Sequence, residues 1–436
     1  MKDNMEKIFN PNSIAVIGAS SKRHKIGNLI FTKLAKNYGA RVYPVNTKRS
    51  IINGHKAYKS VRDLPAAPDH AVIVTPAQAV IPILNECAHM GVKAVTIITS
   101  GFSEVGNSGA EEGIRKIAKM YNMRIVGPNC LGIYDTYSGI DMLFLPEEKM
   151  SKLSRGKVSI ISQSGAVGSA MLDWMASFGL GISKFVSYGN AADVDESDLI
   201  EYLSNDKSTE VICAYLEGTQ DGAKFIQAAK QCKKPVIIIK AGKTEQGTNA
   251  VSSHTGKMAG ANEVYNAAFE EAGIVRAGDM REMFDYAKAF LTQPRTNGKT
   301  VAIITNGGGF GVLATDAVVE NGLEIAEFSP ETKRELRKII PSYGNIANPL
   351  DLLGDADASK YKEALKILDR DKNIDAFLCV TLFQTHNMEK EVADVVTSFN
   401  NQTKKPLVAS SCGGDFVKRQ VSRMEERGVP VYYTPE

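Results

Sequence analysis

The stretch Ser13-Ile-Ala-Val-Ile-Gly-Ala-Ser-Ser-Lys-Arg-His-Lys-Ile-Gly27 decides the fold. It opens on a short run of β-branched and small apolar residues, Ser13–Ile17. A glycine-containing turn follows, and then an apolar segment of helical period, Leu29–Lys36. Strand, tight turn and helix in succession build a parallel sheet covered by helices. The same succession returns at Ser159–Gly168 (SIISQSGAVG) and at Val301–Gly311 (VAIITNGGGFG). Glycines let backbone N–H groups approach a ligand, and a helix start favours negative charge. Any parallel unit needs a tight turn at this place, so one loop alone reads equally well as structure. Three in one chain favour anion sites.

Outward from the first loop, apolar bursts fall at Arg41–Val45, Ala71–Val74, Ala94–Ile98 and Arg124–Val126, with helical patterns at Ala77–Met90 and Ala110–Met120 between them. This predicts one Rossmann-like unit ending near Cys130. The charged stretch Pro146–Lys157 reads as a linker. A second unit is expected from Val158–Ile161, Val211–Tyr215 and Val236–Ile239, with helices around Asn262–Ala272 and Met280–Leu291. Thr292–Lys299 (TQPRTNGK) reads as a second linker. A third unit then takes strands at Val301–Thr305, Ala376–Thr381, Leu407–Ser410 and Val429–Tyr432. The expected class is α/β, with three Rossmann-like or flavodoxin-like domains over 1–145, 158–291 and 299–436 and mostly parallel sheets.

Composition agrees and excludes much else. The chain has 436 residues, of which 43% are hydrophobic and 23% charged. At about 150 residues per domain this length suits three domains. The net charge of +3 gives no global pull towards nucleic acid or anionic lipid. No apolar run approaches the roughly 18 residues of a membrane helix, and the polar, mixed-charge Met1–Asn10 is not a signal peptide. The six cysteines never form a CxxC pair, which suits a reducing cytosol.

A dinucleotide enzyme would place an acid at the end of its second strand, to hold a ribose hydroxyl. Here that strand runs on as Val42-Tyr-Pro-Val-Asn-Thr-Lys48. The lysine disfavours NAD and suits NADP or coenzyme A, each with an extra ribose phosphate. Val74-Thr75-Pro76 and Thr99-Ser100-Gly101-Phe102 end two further strands and could line the same crevice.

Of the six histidines, His254 stands apart, in Ala250-Val-Ser-Ser-His-Thr-Gly-Lys-Met-Ala-Gly-Ala261. The segment is rich in small and hydroxyl residues. A mobile loop presenting a nucleophilic imidazole would have this make-up, and imidazole can accept a phosphoryl group. Its tautomer needs a partner, and Glu217 at the end of the Val211–Leu216 strand is the candidate. On composition alone the plainer reading also stands, that His254 lies in a turn before the helix from Asn262. The acidic run Asp193, Asp195, Glu196 and Asp198 is explained at least as well by a helix cap as by a metal. No Walker-type GxxxxGK[ST] is present.

The motifs IGASSKRHKIG (Ile17–Gly27), VTP (Val74–Pro76), TSGFSE (Thr99–Glu104), GPNCLG (Gly127–Gly132), SQSGAVG (Ser162–Gly168), YGNAADVDESD (Tyr188–Asp198), YLEG (Tyr215–Gly218), SHTGKMAG (Ser253–Gly260), NGGGFG (Asn306–Gly311) and NPLDL (Asn348–Leu352) appear in this order. With them the chain resembles the α subunit of NDP-forming acyl-CoA synthetases, in particular the ADP-forming acetyl-CoA synthetases, which are similar to the α chain of succinyl-CoA synthetase. Members of that family continue for a further helix beyond the point where this chain stops, so a truncated C-terminus is expected.

The resemblance implies the reaction acyl-CoA + phosphate + ADP to acid + CoA + ATP, through an acyl phosphate and a phosphohistidine. It implies that Gly18, Ser20, Ser21, Ile26 and Gly27 hold the CoA phosphates and that Lys48 lies near the ribose phosphate or adenine. Val74, Thr75, Thr99, Ser100 and Gly101 would line the cleft, with Asn129 at the acyl end. His254 would be the residue phosphorylated and Glu217 its orienter. Gln163, Ser164 and Gly165 would begin one phosphate-binding helix, and Gly308 and Gly309 a second. No metal site is expected on this chain. Mg-ADP or Mg-ATP would sit on an ATP-grasp β subunit, in an α2β2 assembly. The other substrates would be a small carboxylic acid or its acyl-CoA, and phosphate. Neither nucleic acid nor membrane is an expected partner. The alternative is a non-enzymatic CoA-binding regulatory protein of the same architecture.

Overall fold

The computed structural model describes residues 2–255 and 262–436, with the side chains of 2, 3 and 252–255 outside the described set. The chain divides into two compact units, Met1–Ala287 and Lys288–Glu436. Among the described residues the first holds two large sheets and the two-stranded pair Ile51–Ile52 with His55–Lys56, and the second holds one sheet.

The first sheet has five parallel strands in the order Val42–Val45, Ile14–Ile17, His70–Ile73, Ala94–Ile97, Arg124–Val126. Ile14–Ile17 is fully buried, as a strand with helices on both faces must be. The second sheet runs Val275–Arg276, Val236–Lys240, Val211–Leu216, Arg155–Ser162, Ile182–Ser187, Gly132–Asp135, Ile140–Asp141. Its last two strands pair antiparallel. One apolar core passes beneath both sheets, joining Ile14, Val16 and Val72 to Ile161, Val186 and Ile212.

Three details depart from the expected pattern. Gly132–Asp135 and Ile140–Asp141 lie within the segment read as the first domain, yet they complete the second sheet. Arg155–Ser162 starts inside the stretch read as a linker. Ile182–Ser187 was not expected as a strand, because Lys184 interrupts its apolar run; that lysine is buried on the carboxylates of Asp206 (2.9 Å) and Asp135 (3.5 Å).

The second unit carries a parallel sheet in the order Glu324–Ile325, Thr300–Thr305, Ala376–Val380, Leu407–Ser410, Val431–Tyr432, with Leu350–Asp351 beside Thr300–Thr305. The division between the units falls inside the helix Met280–Thr292 rather than at Thr292–Lys299. Phe284 packs edge-on against Trp174 in the first unit. One turn later Lys288 bonds Glu425 (2.6 Å) and lies over the Tyr432 ring in the second.

His70 opens the third strand of the first sheet, fully buried with Nε2 2.8 Å from the Thr96 hydroxyl. Burial holds its pKa down at about 4, against an ordinary 6.5. The unfolded chain therefore takes up this proton first as pH falls. The stability is whole above pH 6.5 and is lost between 6.5 and about 4, by on the order of 3 kcal/mol. Urea midpoints should fall over that window, and His70→Gln should flatten the profile. Parallel profiles for the two proteins would contradict this.

Candidate functional site

In the first sheet the chain reverses its order between Ile14–Ile17 and His70–Ile73. In the second it reverses between Arg155–Ser162 and Val211–Leu216. Ligands of open α/β sheets sit at the carboxyl ends of such strand pairs. Loops from both reversals line one cavity of about 890 Å³. Its wall takes Ile26, Val74, Thr75, Thr99, Ser100 and Asn129 from the first sheet, and Gln163, Ser164, Gly165 and Glu217 from the second.

Three helix starts line this cavity, and none carries an acid in its first turn. The helix Ile26–Tyr38 has no side-chain cap, and neither has Ala77–Met90. Gly165–Ser177 is capped by the neutral Ser164 hydroxyl, which accepts from Val167 N. Some helices directed elsewhere begin on carboxylates, as Asp195 does before Glu196–Asn205 and Asp221 before Gly222–Gln231. The free N–H groups of an uncapped start suit an anion, and a carboxylate there would repel it.

The loops are held to one another by hydrogen bonds. The Thr99 hydroxyl donates to Thr75 O (2.7 Å), and Asn129 N donates to Thr99 O (2.9 Å). The Asn129 side chain donates to Asn190 Oδ1 (3.2 Å). Asn190 in turn donates to Glu104 (2.6 Å), whose other oxygen accepts from Gly101 N (2.5 Å). Although burial alone would raise its pKa, these hydrogen bonds hold the Glu104 carboxyl below the usual range. Glu104 and Asn190 both line the cavity. Neither is among the expected site residues, although Glu104 ends the TSGFSE loop and Asn190 stands in YGNAADVDESD, both polar positions in loops after strands.

Glu217 is buried, 7% exposed, and the loop that bears it is tied to the start of the Gly165 helix. The Gln163 amide oxygen accepts from Glu217 N and Gly218 N, and its nitrogen donates to Gly218 O (2.7 Å). Burial, with the Glu217 carboxylate hydrogen-bonded to it, pushes the Tyr215 hydroxyl up to about 12. Lys240, 1% exposed, bonds Ala241 O (2.5 Å) and lies 4.4 Å from the Tyr265 ring centre. Burial, then the charge of Arg276, bring its pKa down to about 8, with Glu217 opposing. Val251, on the helix Glu245–Thr255, reaches the cavity wall. His254 follows it by three residues on the same helix; its side chain lies outside the described residues.

Other expected positions stand behind the wall or beside it. Gly18 has φ +94°, and a Cβ at Gly27 would stand 2.1 Å from Gly18 O. Helix and loop thus touch backbone to backbone. Ser20 accepts from Lys22 N through its hydroxyl (3.1 Å) and from the buried Asn28 side chain through its carbonyl (2.7 Å). Ser21 and Lys48 are exposed. Asn46 accepts from Lys48 N (2.8 Å) and donates to Ala19 O (2.8 Å), joining the second strand to the first loop. Gly101 takes φ +110° against Ala77. In the second unit, Gly308 and Gly309 open the helix Gly308–Glu320, which again lacks a side-chain cap and a first-turn acid.

Two other groups are structural. Arg124 binds Asp193 (3.0 Å) and Asp198 (2.6 Å), and Lys224 binds Asp195 (2.8 Å) and Asp198 (2.9 Å). The acidic run is thus a paired capping box. Cys130 lines the cavity, but burial pushes its thiol up to about 12, which leaves it no thiolate to attack with.

The family models agree with this layout. A CoA binding domain matches residues 12–136, a succinyl-CoA ligase like flavodoxin domain 155–290, and a ligase-CoA domain 301–436. The chain is 41% identical to the ADP-forming acetate–CoA ligase I subunit alpha of Pyrococcus furiosus, over 99% of this chain and 95% of that one. The chain belongs to the ADP-forming acetate–CoA ligase family. An ADP-forming acetate–CoA ligase of Methanocaldococcus jannaschii is 43% identical over 99% of this chain, which spans 61% of that protein. The solved acetyl-coenzyme A synthetase 1 of Ca. Korarchaeum cryptofilum, described in complex with phosphate and ADP, superposes with a TM-score of 0.91 at 36% identity. That match covers 100% of this chain and 94% of the other. Among the described residues, no helix is long and apolar enough to cross a membrane.

The contact between Gly18 and Gly27 sets a test within this ligase fold. Gly27→Ala should cost about 1–3 kcal/mol in urea unfolding, because its Cβ meets backbone. Gly222→Ala, whose Cβ meets nothing within 4 Å, should be neutral or stabilising. Equal stability for both variants would remove the close-approach argument.

Proposed function

We propose that this chain is the α subunit of an ADP-forming acyl-CoA synthetase, and that it carries the CoA site and the phosphoryl-accepting histidine. One observation carries the reading: the loops expected for CoA, the acid-free start at Gly165 and the Glu217 carboxylate share the wall of one cavity. We assign CoA binding to 1–145, the phosphohistidine machinery to 158–291 and the ligase-CoA role to 299–436.

The CoA phosphates lie along Gly18, Ser20, Ser21, Ile26 and Gly27, with Lys48 near the ribose phosphate. The chain from Val74 and Thr75 through Thr99, Ser100 and Gly101 lines the pantetheine path, and Asn129 faces the acyl carbonyl. Phosphate rests on the N–H groups at Ser164 and Gly165; Gly308 and Gly309 are the corresponding positions of the second unit. A phosphate oxygen attacks the thioester carbonyl, the C–S bond breaks, and CoA leaves as thiolate. A ring nitrogen of His254 then attacks phosphorus, and the P–O bond to the acyl group breaks to release the carboxylate. Glu217 holds the proton on the other ring nitrogen and offsets the growing positive charge. A terminal oxygen of ADP takes the phosphoryl group from nitrogen to give ATP. Mg-ADP sits on an ATP-grasp partner subunit, in an α2β2 assembly. These steps concentrate negative charge, so preorganised dipoles supply most of the rate.

Labelled ATP with the partner subunit, or acyl-CoA with labelled phosphate, should leave an acid-labile, base-stable label on this chain. His254→Ala should abolish label and turnover while CoA binding persists. Glu217→Gln should slow labelling by about 10²- to 10⁴-fold. Turnover by His254→Ala near the wild-type rate would end the carrier role, and a chain that binds CoA but never labels would favour the regulatory alternative.

The CoA site has its own test. Calorimetry should show CoA binding and no comparable NAD binding, and Lys48→Glu should weaken CoA by repulsion. Tight NAD binding without CoA would refute the assignment.

A further inference from the structure

We infer that Gln163 is a positioning residue for phosphoryl transfer, whose side chain holds the turn that carries Glu217 instead of binding phosphate. This rests on the roles proposed above for Glu217 and His254. It departs from the sequence expectation, which places Gln163 among the phosphate ligands.

The amide of Gln163 has four hydrogen-bonding positions. Three are engaged by the Glu217–Gly218 turn: the oxygen accepts from Glu217 N and from Gly218 N (3.0 Å), and the nitrogen donates to Gly218 O (2.7 Å). Two donors on one side and a carbonyl on the other fix which end of the amide is oxygen. The backbone is engaged too, since Gln163 N donates to Tyr215 O (3.2 Å). Two residues later the helix Gly165–Ser177 begins. One residue therefore ties the helix start proposed to cradle phosphate to the carboxylate proposed to orient the imidazole. The two partners are 54 and 55 residues away in sequence.

The consequence is geometric. Without the amide, the backbone N–H groups of Glu217 and Gly218 lose their acceptor and the turn relaxes. The carboxylate then shifts relative to the helix start, and a displacement of about 1 Å can cost about 10²-fold in rate. The three hydrogen bonds of the amide all run between loops of the second sheet, so CoA affinity should change little. A phosphate ligand would behave differently, raising the KM for phosphate with kcat preserved.

The experiment uses the full chain with its partner subunit, acetyl-CoA and labelled phosphate, and follows the acid-labile label by rapid quench. Gln163→Met keeps the length and removes the polar atoms. It should slow labelling by about 10²-fold with little change in the KM for phosphate. Gln163→Glu retains an acceptor for the two N–H groups and should recover part of that loss; it carries the comparison if the methionine variant does not fold, which CoA titration reports. In a Glu217→Gln background, Gln163→Met should cost almost nothing further, because both changes remove one function. A raised KM for phosphate with unchanged rate would overturn the inference. So would an equal loss in both backgrounds with Glu217→Gln itself slow, which would spare the role of Glu217. Labelling by Glu217→Gln at the wild-type rate would instead refute the underlying assignment and take this inference with it.

Discussion

The cavity depends on the interlock of two turns. A Cβ at Gly189 would stand 2.3 Å from the carbonyl oxygens of both Pro128 and Asn129, so only hydrogen fits between the chains. Three backbone hydrogen bonds continue the contact: Asn190 N to Pro128 O, Ala192 N to Gly127 O and Val194 N to Ile125 O. The last loop of the first sheet is thereby joined to the loop after Ile182–Ser187 in the second. Each sheet alone would offer an ordinary crevice. Joined, they bring the carboxyl ends of both strand sets to one space, the cavity proposed above for the CoA thioester and phosphate. The interlock also explains why the polar links across this seam run between side chains some 60 to 90 residues apart, as in Asn129 to Asn190 and Asn190 to Glu104.

Few cations line the cavity: Lys25 does, Lys48 stands outside the wall and Lys240 is buried behind it. In the proposed reaction the acid-free helix starts would take the place of lysines, which suits a phosphoryl group that must move on. A fully paired cation would bind substrate and transition state alike, which lowers KM without raising kcat. Backbone dipoles are fixed before the reaction and need no reorganisation as charge shifts from one oxygen to the next. None of these three starts carries the capping carboxylate found at Glu196–Asn205 and Gly222–Gln231.

Much of this was legible in the sequence. Strands such as Ile14–Ile17 and Val211–Leu216 are near-continuous apolar runs, because buried parallel strands have no polar face to show. The loops after them announced themselves through glycine and serine. The motif residues Val74, Thr75, Thr99, Asn129 and Gly165 do meet in one cavity. Ile182–Ser187 was hidden, because the polarity of its Lys184 is resolved by Asp206, Ser208 and Asp135 on neighbouring elements. Gly132–Asp135 pairs antiparallel, against the rhythm of the rest. Long-range bonds were hidden for the same reason. Nothing local to Gln163 reveals that its amide closes on Glu217, and nothing local to Asn190 reveals Glu104.

Glu217 is buried among groups that supply both hydrogen bonds and charge. Burying a carboxylate charge costs several kcal/mol unless something offsets it. A lysine ion pair would offset it but would occupy its oxygens. Here Lys240 gives its hydrogen bond to Ala241 O and its face to the Tyr265 ring, and acts on Glu217 through its field. The Tyr265 hydroxyl, in turn, accepts from Thr219 N (3.0 Å), two residues beyond Glu217. Cation, ring, turn and carboxylate thus form one unit in which the charge of Lys240 is present but its ammonium is held elsewhere. If Glu217 orients an imidazole as proposed, a direct ion pair with Lys240 would offset part of the charge that this role uses.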